Sequence, residues 1–327
     1  MENQIFIGID ISKKTLDICI LEEDEKQYAS IENKKKEINK FLNTFSDERE
    51  VYISMENTGR YNWPLYTTLS SFEHCVFVIP PLHLKKSLGL IRGKNDKVDA
   101  ERIAVFTKKN LRDLRPWKAP SQNLQKLKVL LAERSLRMKM KSQLLSNQKE
   151  YELIAQVAKE CGLAPLNQRM VKSLKAQIEK IEERIENLIS SDESLLNTSE
   201  LIRSVPGVGK VLCWMMIAKT NNFISITDPR KMACFAGVVP FQFRSGTSVI
   251  RKDRVSLFAD KSLKKHLHLG AMSAIRLNND LRKYYLRKTE EGKNKMSVLN
   301  AVRNKIIHRV YAVIKNQRQY QNHLILS

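Results

Sequence analysis

The sequence predicts an α/β unit followed by a mostly helical remainder. Short apolar runs bounded by turn residues dominate the first 110 residues, whereas apolar residues spaced three and four apart dominate after residue 120. The first pattern is typical of strands and the second of helices. Pro116 and Pro120 bracket the junction. We therefore expect three parts, residues 1–115, 120–195 and 198–327.

In the first part, five apolar runs predict strands and three segments with helical spacing predict helices. In chain order these are the strands Ile5–Ile11, Leu16–Leu21 and Gln27–Ile31, the helix Lys34–Phe45, the strand Val51–Met55, the helix Tyr61–Leu69, the strand Cys75–Ile79 and the helix Asp96–Lys108. We interpret Pro80-Pro81 as a break between elements. The order β-β-β-α-β-α-β-α is that of the ribonuclease-H-like fold, which places the first strand beside the fourth.

Two acids follow buried strands in this part. Asp10 follows the run Ile5–Ile9, and Glu56 follows Val51–Met55. A carboxylate at the end of a buried strand is unfavourable unless a cation offsets its charge. If the first and fourth strands are neighbours, their ends bring Asp10 and Glu56 close together.

Two further acids, Asp96 and Asp99, begin the last predicted helix of this part. They are three residues apart and therefore share one helix face, which can lie across the strand ends. The alternative interpretation is that Asp96 is the N-cap and Asp99 a first-turn charge that complements the helix dipole. Beside Asp10 and Glu56 we favour a hard-metal site built from oxygen ligands.

The chain is strongly basic, with 57 Lys and Arg against 35 Asp and Glu and a formal charge of +22 among 327 residues. This excess is typical of a protein that neutralises phosphates, so it favours nucleic acid over a generic solubility charge or a membrane surface. No apolar run is long enough to predict a membrane span. The N-terminus does not resemble a signal peptide, and the five cysteines are scattered without a CxxC pair, so we expect a reducing cytoplasm.

Residues 120–195 carry an apolar seam whose spacing of 3, 4, 3, 4 and 3 is that of a coiled coil: Val171, Leu174, Ile178, Ile181, Ile185 and Leu188. The Cys161–Pro165 stretch predicts a turn before this seam. We expect an antiparallel coiled-coil helical hairpin, which would act as a spacer or a dimerisation arm.

Residues 198–327 predict a mostly helical second globular part. The Ser204–Lys210 loop, Ser-Val-Pro-Gly-Val-Gly-Lys, resembles a helix-hairpin-helix element whose glycines let backbone N–H groups approach a phosphate, although a plain tight turn is the alternative. Further on, Ser245-Gly246 follows a loop that contains Pro240 and precedes the basic run Arg251–Arg254. Taken alone, Ser245 is a turn residue, and no histidine partner indicates a Ser-His-Asp triad.

Together these motifs resemble a known family. The segments Ile7–Lys13, Met55–Gly59 and Lys94–Ala100 are similar to those of the DEDD transposases of bacterial insertion sequences, the bridge-RNA-guided recombinases. Residues 202–250 resemble the family's C-terminal transposase domain. The resemblance covers nearly the whole chain in the right order.

The resemblance implies a RuvC-like domain in which two Mg²⁺ ions per active site are bound by Asp10, Glu56, Asp96 and Asp99. It implies that Ser245 is the nucleophile and that the serine of one subunit completes the acidic site of another. It also implies donor and target DNA, a structured noncoding guide RNA, and a homodimer or homotetramer in the bacterial cytoplasm, associated with the nucleoid.

Two other classes of function remain open at this point. One is a RuvC-like or ribonuclease-H-like junction-resolving nuclease that uses water instead of a serine. The other is a non-catalytic nucleic-acid-binding protein in which the acids are structural. Replacing Ser245 discriminates the recombinase from the nuclease, and metal binding by the acids discriminates both from the third class.

Overall fold

The computed structural model describes residues 4–45, 50–57, 59–69, 72, 74–87, 95–245 and 249–321. The chain divides into two compact units, residues 1–119 and residues 120–327. The predicted helical hairpin and the C-terminal part share the second unit. None of the helices in the described part of the chain is long and apolar enough to cross a membrane.

The first unit is built on a five-stranded mixed sheet. Its elements in chain order are β1 (Gln4–Ile11), β2 (Thr15–Glu22), β3 (Glu25–Glu32), α1 (Lys35–Leu42), β4 (Glu50–Glu56), a 3₁₀ turn (Arg60–Asn62), α2 (Trp63–Leu69), β5 (Cys75–Ile79), α3 (Pro81–Ser87) and α4 (Asp96–Asn110). The strand order is β3-β2-β1-β4-β5, with β1 antiparallel to β2 and parallel to β4. The first and fourth strands are neighbours, as the ribonuclease-H-like order predicts.

The two faces of this sheet are covered by different helices. Side chains alternate along a strand, so Ile7 and Ile9 face one side and Phe6 the other. The isoleucine side packs with buried residues of α1 and α2. The Phe6 side packs with Ala100 and Ala104 of α4.

The break between elements predicted at Pro80-Pro81 is confirmed, since β5 ends at Ile79, but the helix that begins at Pro81 was not predicted. Proline is accepted at the first position of a helix, where its missing N–H has no partner to lose. The pair therefore ends β5 and starts a helix within two residues.

The second unit begins with the helical hairpin, formed by α5 (Gln122–Glu150), α6 (Ala155–Glu160) and α7 (Leu163–Ser190). Two contacts show that α5 and α7 are antiparallel. Arg134 Nε lies 2.7 Å from Glu182 Oε1, and Asn167 Nδ2 donates to the Leu144 carbonyl oxygen at 2.7 Å. The connection is longer than the predicted Cys161–Pro165 turn, since it includes α6.

The apolar seam of α7 is buried within this chain. Ile178 and Ile181 are each 7% exposed and Ile185 is fully covered. The lower end of the seam, from Ile181 onward, joins the main apolar core of the second unit. The hairpin therefore satisfies the coiled-coil pattern without a partner chain.

The rest of the second unit consists of six helices and one β-hairpin among the described residues. These are α8 (Glu193–Arg203), α9 (Lys210–Thr220), α10 (Pro229–Phe235), β6 (Phe241–Ser245), β7 (Val249–Arg254), α11 (Lys261–Ala274), α12 (Asp280–Glu290) and α13 (Lys295–Asn316). The apolar α9, with Trp214 fully buried, lies in the core. The β-hairpin stands where the sequence predicted only a loop.

The loop between α8 and α9 passes α11 at backbone contact. Gly207 has a φ of +88°, and a Cβ there would lie 2.3 Å from the carbonyl oxygen of Gly270. A side chain is therefore excluded both by conformation and by the neighbouring backbone. Packing within the unit is by itself enough to require glycine at position 207.

Candidate active site

Asp10 and Glu56 lie at neighbouring strand ends on one face of the sheet. The strands β1 and β4 are parallel, and Ile9 is paired with Met55, so Asp10 and Glu56 are the next residues on each strand. Because side chains alternate, both acids face the side that α4 covers. The predicted proximity of these two acids follows directly from this register.

Helix α4 approaches this face closely because β1 carries glycine at its centre. A Cβ on Gly8 would lie 2.2 Å from the carbonyl oxygen of Ala100 and 2.4 Å from the amide nitrogen of Ala104. One turn farther along the helix, the hydroxyls of Thr107 and Ser54 are buried and 2.6 Å apart, which ties α4 to β4. The helix axis is thus fixed against both acid-bearing strands.

The first turn of α4 carries Asp96 and Asp99. The N-cap is Asn95, whose side chain accepts from the Lys97 amide at 3.2 Å. The alternative interpretation of Asp96 as the N-cap was therefore wrong. Asp96 is exposed and Asp99 is partly buried.

Asp10 is influenced electrostatically by the other three acids. Burial, then the charges of Asp99 and Asp96, and finally that of Glu56 raise the pKa of Asp10 from 3.8 to about 6, although the Ile11 amide donates to its carboxylate at 3.1 Å and lowers the pKa. Like charges favour the protonated form of a neighbour only at short range. The charges of carboxylates that lie up to 89 positions away in the sequence therefore act on Asp10.

The donor set is suited to a hard divalent cation. All four side chains supply carboxylate oxygens, the ligands preferred by Mg²⁺. Among the described residues, however, no three His, Cys, Asp or Glu side chains are close enough to hold a metal ion. Asp99 is instead paired with Arg102, at 2.8 Å. To bind a cation, Asp99 would have to give up its ion pair with Arg102. The bound cation would also offset the negative charges that raise the pKa of Asp10.

A fifth acid, which no motif of the sequence predicted, lies on the same face of the sheet. Asp17 on β2 is paired directly with Asp10, so the two side chains share a face of the sheet. Asp17 follows a single apolar residue instead of a run, and only the antiparallel register reveals its position.

Ser245 lies in the second unit, at the end of β6, where its backbone pairs with Val249 of β7. The side chains of residues 241–254 and all of Gly246 lie outside the described residues. Both flanks of the hairpin are anchored to helices. Asn300 Nδ2 of α13 donates to the Val238 carbonyl oxygen at 2.6 Å, and the Asp260 amide donates to the Phe235 carbonyl oxygen at 2.8 Å.

His266 and His268, two residues apart on α11, do not form a metal-binding pair. His268 Nδ1 lies 2.7 Å from a guanidinium nitrogen of the buried Arg303, while His266 Nδ1 lies 2.9 Å from the Ser262 carbonyl oxygen. Each ring is thus engaged on a different side of α11, because residues two apart on a helix do not face each other.

Comparison with known families accounts for both parts of this arrangement. A family model for DEDD transposases of the IS110 type, described as "Transposase", matches residues 7–150, which include the four acids. A second model, described as "Transposase IS116/IS110/IS902 family", matches residues 199–286, which include Ser245. The chain belongs to the IS116/IS110/IS902 family of transposases. It is therefore an enzyme that acts on DNA.

Relatives of this transposase span its length. The pilin gene-inverting protein of Moraxella bovis is 25% identical and aligns over 98% of this chain and 99% of its own. The transposase for insertion sequence element IS1111A of Coxiella burnetii is 23% identical over 98% of this chain and 92% of its own. Among solved structures, T. thermophilus RuvC in complex with a Holliday junction substrate is 14% identical and covers 35% of this chain and 99% of its own. Its TM-score of 0.28 is too low to support a conclusion, so the fold rests on the strand order.

Asp10→Asn is expected to stabilise the metal-free transposase at neutral pH. Because the folded-state pKa of about 6 exceeds the ordinary 3.8, the native state binds more protons between these values, and the stability from this group falls as pH rises from about 4 to 6. Asp10 is half-buried, so we discount the effect to about 1 kcal/mol. Denaturant titrations in EDTA should show the variant more stable at pH 7.5 and equal to wild type at pH 4.

The matched control is Asp113→Asn, which removes an exposed acid of the same unit. It should change stability little at either pH. A stabilisation by Asp10→Asn that is the same at both pH values would contradict the charge repulsion.

Proposed function

We propose that this transposase cuts and rejoins DNA through a covalent phosphoserine intermediate on Ser245, with two Mg²⁺ ions bound by Asp10, Glu56, Asp96 and Asp99. The acidic half is supported by the strand register, which places Asp10 and Glu56 at adjacent strand ends, and by the charges of Asp99, Asp96 and Glu56, which add to burial in raising the pKa of Asp10. The serine half is supported by the match of residues 199–286 to the family and by the basic sequence that follows Ser245.

In this mechanism the Ser245 oxygen forms a bond to a backbone phosphorus and loses its proton. The bond from that phosphorus to one bridging deoxyribose oxygen breaks, and this oxygen leaves as a hydroxyl. Attack by a hydroxyl of another strand reverses the step and frees the serine. The covalent bond conserves the phosphodiester energy, so rejoining needs no nucleotide cofactor.

The carboxylates contribute position and charge. When bound, two Mg²⁺ ions stabilise the attacking and leaving oxygens of such a displacement. Asp10 and Glu56 are held by adjacent strands, whereas Asp96 and Asp99 are held by the helix packed on Gly8. Because two strands and one helix carry them, the carboxylate oxygens would keep constant distances from one another, as a two-metal site requires.

We further propose that donor and target DNA are selected by a structured noncoding guide RNA. The support is the broad charge of +22 and the family membership. A protein that leaves sequence reading to base pairing needs mainly backbone contacts. The Ser204–Lys210 loop is one candidate contact, because the N-cap of α9 is Gly209 and offers no side-chain acceptor to the first amides of that helix.

Ser245→Ala is expected to abolish both the covalent adduct and the recombined product while DNA binding persists. The test is a denaturing gel of protein with labelled element-junction DNA, Mg²⁺ and RNA transcribed from the flanking noncoding segment, followed by peptide mapping of the adduct. Ser256→Ala is the matched control, because Ser256 is a nearby serine whose hydroxyl accepts from the Phe258 amide at 3.2 Å. It should form the adduct normally.

The second candidate function is a nuclease that uses water. Cleaved DNA released by the Ser245→Ala variant without any adduct would favour this hydrolytic activity. The pilin gene-inverting relatives favour recombination, since their name describes inversion of a gene and therefore rejoining.

We propose that the transposase assembles as a homodimer or homotetramer through the distal end of the helical hairpin. The seam itself is buried within the chain, but Leu153, Ile154 and Val157 at the far end are 87%, 50% and 56% exposed. Contiguous exposed apolar side chains are typical of a protein–protein interface.

Ile154→Glu is expected to reduce assembly without loss of stability, because its side chain is exposed. Ile178→Glu is expected to unfold the hairpin, because it places a charge at a buried position and costs about 4 kcal/mol or more. Light scattering measures the first effect and thermal melting the second. Normal assembly of the Ile154 variant would refute an interface at the hairpin end.

A further inference from the structure

Two adjacent apolar side chains project from the connection between β7 and α11. Leu257 is 90% exposed and Phe258 is 69% exposed. Nearby apolar residues of the same unit behave differently, since Leu263 and Leu267 are fully buried. An exposed leucine followed by an exposed phenylalanine is unfavourable in water and indicates a contact with another molecule.

The backbone that carries this pair is fixed by local contacts. The Phe258 amide donates to Ser256 Oγ at 3.2 Å, and the Asp260 amide donates to the Phe235 carbonyl oxygen at 2.8 Å. Asp260 also caps α11 through the Leu263 amide at 2.8 Å and pairs with Lys219 at 2.8 Å. The two side chains are therefore displayed from a defined turn, which lowers the entropy lost on binding.

The surroundings of the pair are basic. Residues 251–265 contain six Lys and Arg against two acids, Asp253 and Asp260, and Asp260 is already paired with Lys219. After the pair, Lys261 and Lys265 are exposed on the first turns of α11. Such interleaving of apolar and basic side chains is typical of single-stranded nucleic-acid binding, where bases stack on rings and cations contact phosphates.

The exposed pair differs in this respect from the end of the helical hairpin. There the apolar residues are interleaved with both signs of charge, including Glu152 and Glu160 beside Lys159. Mixed charge suits a protein partner, whereas a one-sign surface suits a polyanion.

We propose that Leu257 and Phe258 bind an unpaired base of single-stranded DNA, with the Phe258 ring stacked on the base and Leu257 packed against its edge. The lysines at the start of α11 hold the adjacent phosphates. The inference rests on the proposed DNA strand chemistry for its ligand, but on neither Ser245 nor the acids. The pair would hold a DNA strand unpaired. It lies close in the sequence to the segment that carries Ser245.

The test uses the full chain in EDTA with two labelled single-stranded probes of equal length, oligodeoxythymidine and an oligonucleotide of abasic sites. Phe258→Ala is expected to weaken binding of oligodeoxythymidine about tenfold, because one stacked base is lost. Binding of the abasic probe should be unchanged, and so should the slope of log affinity against log salt. Phe258→Trp should bind oligodeoxythymidine with the wild-type affinity, since tryptophan also stacks on bases.

Two controls separate stacking from charge and from general surface effects. Lys265→Ala should weaken the binding of both probes. It should also lower the slope of log affinity against log salt by about 0.7, the value for one phosphate on a single strand. Leu269→Ala removes a 55% exposed apolar side chain from the outside of α11 and should leave the affinity for both probes unchanged. All these variants should melt like wild type.

Equal weakening of both probes by Phe258→Ala, or no weakening at all, would overturn the proposal. A change in oligomeric state of that variant in light scattering, with DNA binding intact, would assign the pair to a protein contact instead. The measurement involves no cleavage, so it should give the same result in the Ser245→Ala background. A failure of the proposed serine chemistry is thereby distinguished from a failure of base stacking.

Discussion

Glu56→Gln is expected to abolish Mg²⁺-dependent DNA strand cleavage, and so are the corresponding amide variants of Asp10, Asp96 and Asp99. Each change removes one charged ligand of the proposed metal site, and loss of a single group that stabilises transition-state charge lowers rates by about 10²–10³-fold. The fold should persist, because the acids repel one another in the metal-free protein. Cleavage of element-junction DNA and thermal melting are measured for each variant.

The control for this series is again Asp113→Asn, an exposed acid of the same unit outside the acidic group. It should cleave at the wild-type rate. Titration with Mg²⁺ adds a second readout, since metal should stabilise the wild type and not the variants. Near-normal cleavage by the Glu56→Gln variant would contradict the proposal that all four acids form the metal site.

Gly8→Ala is expected to destabilise the first unit by about 2–3 kcal/mol and to suppress cleavage together with it. The new methyl group would overlap the backbone of α4, at 2.2 Å from the Ala100 oxygen and 2.4 Å from the Ala104 nitrogen. Relief requires α4 to move away from β1, and this movement carries Asp96 and Asp99 away from Asp10. Denaturant titration and the cleavage assay measure the two effects.

Two further variants sharpen the Gly8 test. Gly209→Ala is the control, because a Cβ there meets nothing within 4 Å, and it should change stability by no more than about 1 kcal/mol. Ala104→Gly should not rescue Gly8→Ala, since the overlap involves main-chain atoms that every residue retains. Wild-type stability of Gly8→Ala would show that α4 does not pack on β1 as described.

Strands β1 and β5 were predictable because burial on both faces leaves continuous apolar runs in the sequence. The run Ile5–Ile11 corresponds to β1, and Cys75–Ile79 matches β5. Helix α3 was missed because Pro80-Pro81 is locally ambiguous, since proline both ends a strand and starts a helix. The short strands β6 and β7 were missed because the alternation of Phe241 and Phe243 with polar residues spans only five positions, and Val249-Ile250 is followed by four charged residues.

The apolar seam of α7 shows a different limit of prediction from sequence. The spacing of Val171, Leu174 and Ile178 predicted a helix with one apolar face, and α7 has that face buried. The spacing does not state what covers the face. Contacts such as Arg134 with Glu182 show that α5 of the same chain does so.

By itself the sequence determined the five strands and three of the helices of the first unit, the candidate acids and the basic character of the chain, because each is encoded in neighbouring residues or in composition. Only the tertiary structure decided that Asp10 feels the charges of Asp96, Asp99 and Glu56, that Asp17 lies opposite Asp10, and that Gly8 sets the approach of α4. These relations join residues that are distant in the chain. They depend on strand register and on the distance between backbones, which no local pattern records.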